Sequence, residues 1–220
     1  MNRLILAVSG LLIAACGGGS TPAAPTPPPT ASTNRAPSVS ATASPAFGVH
    51  GLTTFTIAAT ASDPDGDALT YAWTLGDGSI ASSSSLTKVF NEGGSFTPSV
   101  SVTDGRGGTA SAATAGVTVG SMSGTWRGTQ ASLGNYALTL TQDTNGRVTG
   151  TYSDTTFGSG QLDPASNNNI NAQGAVELRV KQGRFIDWTF RGQMDQTGRR
   201  ITGGIFGSGF SGHPFTIDKQ

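Results

Sequence analysis

Residues 61–78 read ASDPDGDALTYAWTLGDG, and they decide the fold of the first half of the chain. Asp63-Pro64-Asp65-Gly66 is turn chemistry: proline presets one φ, glycine supplies a positive one, and aspartate side chains accept backbone N–H groups. Behind the turn, Leu69, Tyr71, Trp73 and Leu75 alternate with small or polar residues, the period of a half-buried strand. Asp77-Gly78 turns the chain again. A turn, a strand and a second turn this close together predict short antiparallel strands and no helix.

The same pattern continues outward. Phe55, Ile57, Ala59 and Ala61 share one face upstream; Phe96, Val100 and Val102 share one downstream. Further turn signals stand at Gly93-Gly94 and Asp104-Gly105. Roughly seven strands within 36–119 suit an immunoglobulin-like sandwich of two sheets. Trp73 is the expected anchor between the sheets, a core role rather than a sugar-stacking one.

The segments Ala61–Asp67, Leu69–Gly78 and Val100-Ser101-Val102-Thr103-Asp104-Gly105 resemble the PKD domain, and the likeness spans 36–119. It departs at Thr74, where the family usually has an acid, and at Leu75, where it usually has an aromatic. The resemblance implies a non-catalytic module: a spacer, an adhesion module or an accessory to secreted hydrolases. It also implies calcium near the first turn in some members. Asp63, Asp65 and Asp67 offer three hard oxygen donors at alternate positions. They do not form an EF-hand loop, because Gly66 comes too early and Thr74 stands where the closing glutamate belongs. Two readings stay open, a calcium site and a turn that uses its own carboxylates.

The remainder, 121–220, is again turn-rich, as befits a chain with 32 glycines and 12% charged residues. Eight strands are predicted near Gly124–Thr129, Tyr136–Gln142, Arg147–Ser153, Phe157–Leu162, Asn171–Val180, Phe185–Arg191, Arg200–Phe206 and Pro214–Asp218. Short turns such as Asn145-Gly146, Gln182-Gly183 and Thr197-Gly198 imply pairing between neighbours, and hence an antiparallel up-and-down β-barrel. One face collects Leu138, Leu140, Val148, Tyr152, Val176, Leu178, Val180, Ile186, Trp188, Phe190, Ile201, Ile205, Phe215 and Ile217. The opposite face carries Thr139, Thr141, Thr149, Glu177, Arg179, Asp187, Thr202 and Asp218. If the apolar face points inward, the barrel is either a packed core or a cup for a small hydrophobe, with Tyr152, Trp188 and Phe190 as the candidate contacts. Gly124-Thr125-Trp126 followed by Val148–Tyr152 is similar to the opening of avidin-like and lipocalin-like barrels. Biotin is not expected: Ser132 and Tyr152 fall at plausible positions, but Gly128 stands where a polar side chain is needed.

At the N-terminus, Arg3 precedes an apolar run from Leu4 to Ala15, about 12 residues where a membrane span needs about 20. The run ends in Ile13-Ala14-Ala15-Cys16, which resembles the bacterial lipobox. Residues 1–15 are therefore expected to be a signal peptide. Cys16, the one cysteine of the chain, is expected to be acylated as the mature N-terminus. Gly17 follows it rather than the aspartate associated with inner-membrane retention, so an outer-membrane location is expected. Residues 16–35 carry no large apolar side chain and five prolines, a linker composition able to reach on the order of 60 Å.

These readings predict an all-β lipoprotein in the periplasm or at the cell surface that acts as a non-catalytic binding or adhesion protein. The alternatives are a carrier of a hydrophobic ligand and an accessory carbohydrate-binding protein. The expected partners are the membrane, through the lipid, and a cell-surface protein or polysaccharide. Net charge is zero, and no basic cluster points to nucleic acid. The two histidines, His50 and His213, fall in different halves, and no catalytic motif accompanies them.

Overall fold

The computed structural model describes residues 33–182 and 186–220, apart from the side chains of Gln182 and Ile186. The predicted signal peptide, Cys16 and most of the predicted linker lie outside the described residues, as does the predicted start of a strand at Phe185.

Alternating small, polar and apolar residues fold the first half into β1 (Ser38–Ser44), β2 (Phe47–Val49), β3 (Thr54–Ser62), β4 (Thr70–Thr74), β5 (Ile80–Ala81), β6 (Ser85–Val89), β7 (Gly94–Phe96), β8 (Ser99–Thr103), β9 (Thr109–Ala113) and β10 (Val117–Gly120). Sheet order is β1-β3-β6 in one layer and β5-β4-β8-β9 in the other, with a small β2-β10-β7 sheet at the end. More strands form than the seven expected because β2, β5 and β7 are two or three residues long, too short for alternation to register in sequence. Trp73 is 1% exposed between the layers, among Ile57, Leu75, Val100 and Val102, and its Nε1 donates to the Ser83 carbonyl at 2.9 Å. Phe96 does not join the Val100 face. Pro98 interrupts the strand, and Phe96 instead stacks on Phe90, 4.3 Å between centroids, in a separate cluster with Phe55.

The second half forms β11 (Gly124–Gln130), β12 (Gly134–Gln142), β13 (Val148–Asp154), β14 (Gly158–Leu162), β15 (Asn169–Ile170), β16 (Ala175–Gln182), β17 (Ile186–Met194), β18 (Arg200–Gly207) and β19 (Phe210–Lys219). Neighbours pair antiparallel from β11 round to β19, β11 pairs with β19, and β14 pairs with β16. Eight strands thus close into a barrel, and β15 is a short addition on β16 that closure bypasses. The fifth predicted strand starts later than expected, at Ala175. Asn171 turns back on itself there, its Oδ1 accepting the amides of Gln173 and Ala175. The last strand starts earlier, at Phe210, because a register shift at Ile205/Phe206 lets β18 and β19 continue pairing to Gly207–Phe210.

The predicted apolar face is the interior. Leu138, Tyr152, Leu178, Val180, Trp188, Phe190, Ile201, Ile205 and Ile217 are all buried, joined by Trp126, Leu133 and Tyr136. Tyr152, Trp188, Phe190, Tyr136 and Phe215 fill the middle with ring centroids 5.3–6.5 Å apart.

The β2 end of the sandwich packs into the barrel core. Val49 of β2 is fully buried in the barrel cluster beside Met122, with Phe47 and Leu52 packed on it. The intervening link is only Ser121–Ser123. Gln142, 5% exposed, bridges the two parts: its Oε1 accepts the Met122 amide at 2.8 Å and its Nε2 donates to the His50 carbonyl at 3.3 Å. The Thr53 hydroxyl reaches the Ala172 carbonyl at 3.0 Å. Residues 34–220 form one compact unit accordingly.

Candidate functional site

Strand directions give the barrel two unlike ends. The end carrying Met122, Gln142 and Val148 is closed by the sandwich; the hairpins 131–133, 155–157 and 208–209 lie at the other, distal end. Near that distal end the candidate contacts Tyr152 and Trp188 meet edge to face at 5.6 Å, and Phe190 lies 5.9 Å from Tyr152. The structure therefore brings all three together. Each is 1% exposed.

Among the described residues, two polar atoms in this apolar setting, Tyr152 Oη and Trp188 Nε1, have no hydrogen-bond partner, and neither does Oδ2 of Asp154. Asp154 is two residues along from Tyr152 on the same face of β13. Its other oxygen accepts the amides of Thr156 and Phe157, shaping the distal turn. Burial first, and then the Asp154 carboxylate, raises the Tyr152 phenol well above its usual range. Phe157 and Phe210 pack edge-on against Trp188 at 5.4 and 5.6 Å. The inward alternation of β13 extends to Asp154, which was legible in sequence; that its Oδ2 stays without a partner there was not.

Two recesses lie on the outside of the barrel. One of about 650 Å³ is lined by polar residues such as Arg127, Thr129, Asn135, Ser153 and Asp218 together with Tyr136 and Ala137, from β11, β12, β13 and β19. The other, about 350 Å³, contains Phe206, Arg191, Thr189 and Ser208. Phe206 is 38% exposed, and the Arg191 guanidinium stands 5.7 Å from its ring centre. Cross-strand pairs Arg179–Asp187, Arg191–Glu177 and Arg200–Asp218 hold the charges of this outer face.

In the sandwich, ligand atoms of Asp63, Asp65 and Asp67 lie within 4.8 Å of one another. Asp63 Oδ1 accepts the amides of Asp65 and Asp67, so the turn does use one of its own carboxylates. Asp65 is held by the Arg35 guanidinium and amide, and Asp67 by Arg106 at 3.1 Å. The Arg35 hydrogen bonds keep the Asp65 carboxyl below its usual range. Asp63 Oδ2 and Asp67 Oδ2 remain buried with no partner. Orphaned carboxylate oxygens of Asp63 and Asp67 are the donors a calcium ion would use, and Asp65 would join them only by releasing Arg35. Arg35 and Asn34, linker by composition, are thus fastened to the sandwich; Asn34 donates to Asp104 at 2.8 Å.

The histidines stay apart. His50 is buried at the junction, its Nδ1 3.3 Å from the Asn91 carbonyl, whereas His213 packs on Phe210. Asp163 and Asp187 have separate tasks: Asp163 shapes its own turn and Asp187 binds Arg179.

Residues 34–119 match the family model of the PKD domain. No curated protein matches the chain. A solved structure from work on "the promiscuous specificity of the carbohydrate-binding modules from the beta-sandwich super family" aligns with 86% of this chain and 93% of that one at 15% identity. Its TM-score of 0.39 is too low to define a common fold.

Proposed function

We propose that this protein is a non-catalytic binding protein of the cell envelope, held to the outer membrane by lipid on Cys16. In this reading the PKD module is a rigid neck and the barrel presents the contact surface to a cell-surface protein or polysaccharide. The observation that carries it is the packing of Val49 into the barrel core beside Met122, which closes one end of the barrel and leaves the outer face and distal hairpins for a partner. The packed rings inside favour those surfaces over the interior. The polar recess beside Arg127 and Asn135 and the half-open ring of Phe206 supply hydrogen-bonding and stacking groups of the kind a saccharide uses. Calcium at Asp63 and Asp67 would brace the far end of the neck.

A second reading, a small ligand taken in at the distal end, rests on the orphaned Tyr152 Oη, Trp188 Nε1 and Asp154 Oδ2.

Metabolic labelling with a fatty acid tests the anchor: the full chain takes up label and Cys16→Ser does not. The soluble Cys16→Ser protein is then applied to arrays of envelope polysaccharides and to whole cells. Binding that Phe206→Ala or Asn135→Ala weakens supports the outer-face reading. Binding indifferent to both, together with a small bound mass in native mass spectrometry, would replace it with the distal-ligand reading.

A further inference from the structure

A crevice of about 330 Å³ lies where the sandwich meets the barrel. Two glycine turns wall it, Gly93-Gly94 from the sandwich and Thr197-Gly198 from the barrel. Both approach the link too closely for any side chain. A Cβ at Gly93 would stand 2.7 Å from Ser121 Cβ, and one at Gly198, where φ is +69°, would stand 2.9 Å from Gly120 Cα. The lining adds the hydroxyl residues Ser95, Thr118 and Ser121 and two cations, Arg199 and Lys219. Gln220 also lines it, and no aspartate or glutamate side chain does.

Among the described residues no acidic side chain lies within ion-pair distance of either cation. Lys219 is half-buried, donates to the Ser121 carbonyl at 2.9 Å, and stands 5.6 Å from the Trp126 ring centre. An ammonium has three donors, so this carbonyl uses only one. Arg199 donates to the Lys219 carbonyl at 3.3 Å. Neither is in an ion pair among the described residues, whereas Arg179, Arg191 and Arg200 each have one and Arg127, Arg147 and Lys181 do not. The acids nearest in sequence are engaged elsewhere: Asp218, next to Lys219, pairs with Arg200, and Asp195 is spent on its own turn, accepting from Thr197 and from the amides of Arg199 and Arg200. Burial, and then the neighbouring Arg199 charge, draws the Lys219 pKa down. A capping role on Ser121 accounts for Lys219 alone. It does not account for a second cation beside it, nor for a lining of hydroxyls without acidic side chains.

We propose that this crevice is an oxyanion site, taking a sulfate, phosphate or carboxylate group, either free or carried on an acidic saccharide. An anion there would neutralise both cations and accept hydrogen bonds from the lysine, the guanidinium and the hydroxyls, the charge-assisted bonds that such groups form best. The site is independent of where the main partner binds.

The test is amide NMR of the full chain carrying Cys16→Ser, titrated with sodium sulfate against sodium chloride at matched ionic strength. Sulfate should shift the amides of Gly93, Gly94, Thr197 and Gly198 to saturation. Arg199→Gln, at an exposed position, should weaken binding about tenfold, the effect of removing one hydrogen bond to a charged group. Lys219→Met should abolish it. A uronate oligosaccharide forms the second arm: tighter saturation of the same amides identifies a saccharide-borne group, and saturation by sulfate alone identifies a free ion. Shifts that rise linearly, that chloride reproduces, or that survive unchanged in Arg199→Gln would overturn the proposal.

Discussion

Replacing Gln142 with methionine isolates the bond between sandwich and barrel. The side chain keeps its length and flexibility, so packing around it is conserved. What it loses is both hydrogen bonds: the Met122 amide, donating at 2.8 Å, and the His50 carbonyl, accepting at 3.3 Å, are left without these partners. A buried group so orphaned costs about 1–3 kcal/mol. The longer contact at His50 belongs at the low end, and removing a buried amide returns part of the cost. A net loss of about 2 kcal/mol is expected. For a chain of this size each kcal/mol shifts the melting temperature by roughly 2–4 °C, so the midpoint should fall by about 4–8 °C. Scanning calorimetry of the full chain measures it, with Thr141→Val, on the exposed side of the same strand, as the neutral control. Because the sandwich packs into the barrel core, the wild type should melt in one transition and the variant should lower it as a whole. A drop under about 1 °C, or two separate wild-type transitions, would refute a joint held by buried contacts.

Two further expectations concern charged groups in the sandwich. Calcium should raise its melting temperature by mass action, Asp67→Asn should abolish the effect, and Arg35→Ala should strengthen binding by freeing Asp65; no shift in either the wild type or Arg35→Ala would remove the site. For Asp77, burial pushes the carboxyl up, but hydrogen bonds from Lys88 and from the Ser79 hydroxyl and amide outweigh it and leave the pKa at about 2, against an ordinary 3.8. A depressed carboxyl stabilises the fold above its unfolded value and loses that contribution as pH falls through about 2, a change of roughly 2 kcal/mol. Lys88→Met should therefore flatten the acid-unfolding curve in that window, and superimposable curves for the two proteins would contradict the assignment.

Local alternation made the walls of both modules legible. Trp73, Leu138, Trp188 and Phe190 stand where a period of two puts them, because a strand with one face in a core must alternate. Strand ends were read less well wherever a side chain or a register shift intervened, as at Asn171 and at Ile205/Phe206. Tyr136 is reached by carrying the 138/140 alternation one step back; Trp126 needed its strand's register to be known. The joint was invisible. Phe47, Val49 and Leu52 read as a short apolar stretch of the sandwich, and nothing local shows that they pack into a barrel about a hundred residues further on. Gln142 likewise reads as the polar end of a strand, since its two partners are supplied by other segments.

That difference bears on function. Where two modules meet through a three-residue link and exchange core residues, a swing between them would expose Val49 and Met122 and break the Gln142 bridge. Burying side chains of this size contributes about 1.5–3 kcal/mol each, so a hinge at this point would be sparsely populated. The barrel then takes its direction from the sandwich. A partner bound on the outer face or the distal hairpins meets a surface whose orientation is already fixed, and little of the binding free energy is spent on ordering it. The oxyanion crevice sits on that same joint, walled by one turn from each module. An ion held there would contact both walls at once, so its occupancy and the rigidity of the joint must rise and fall together.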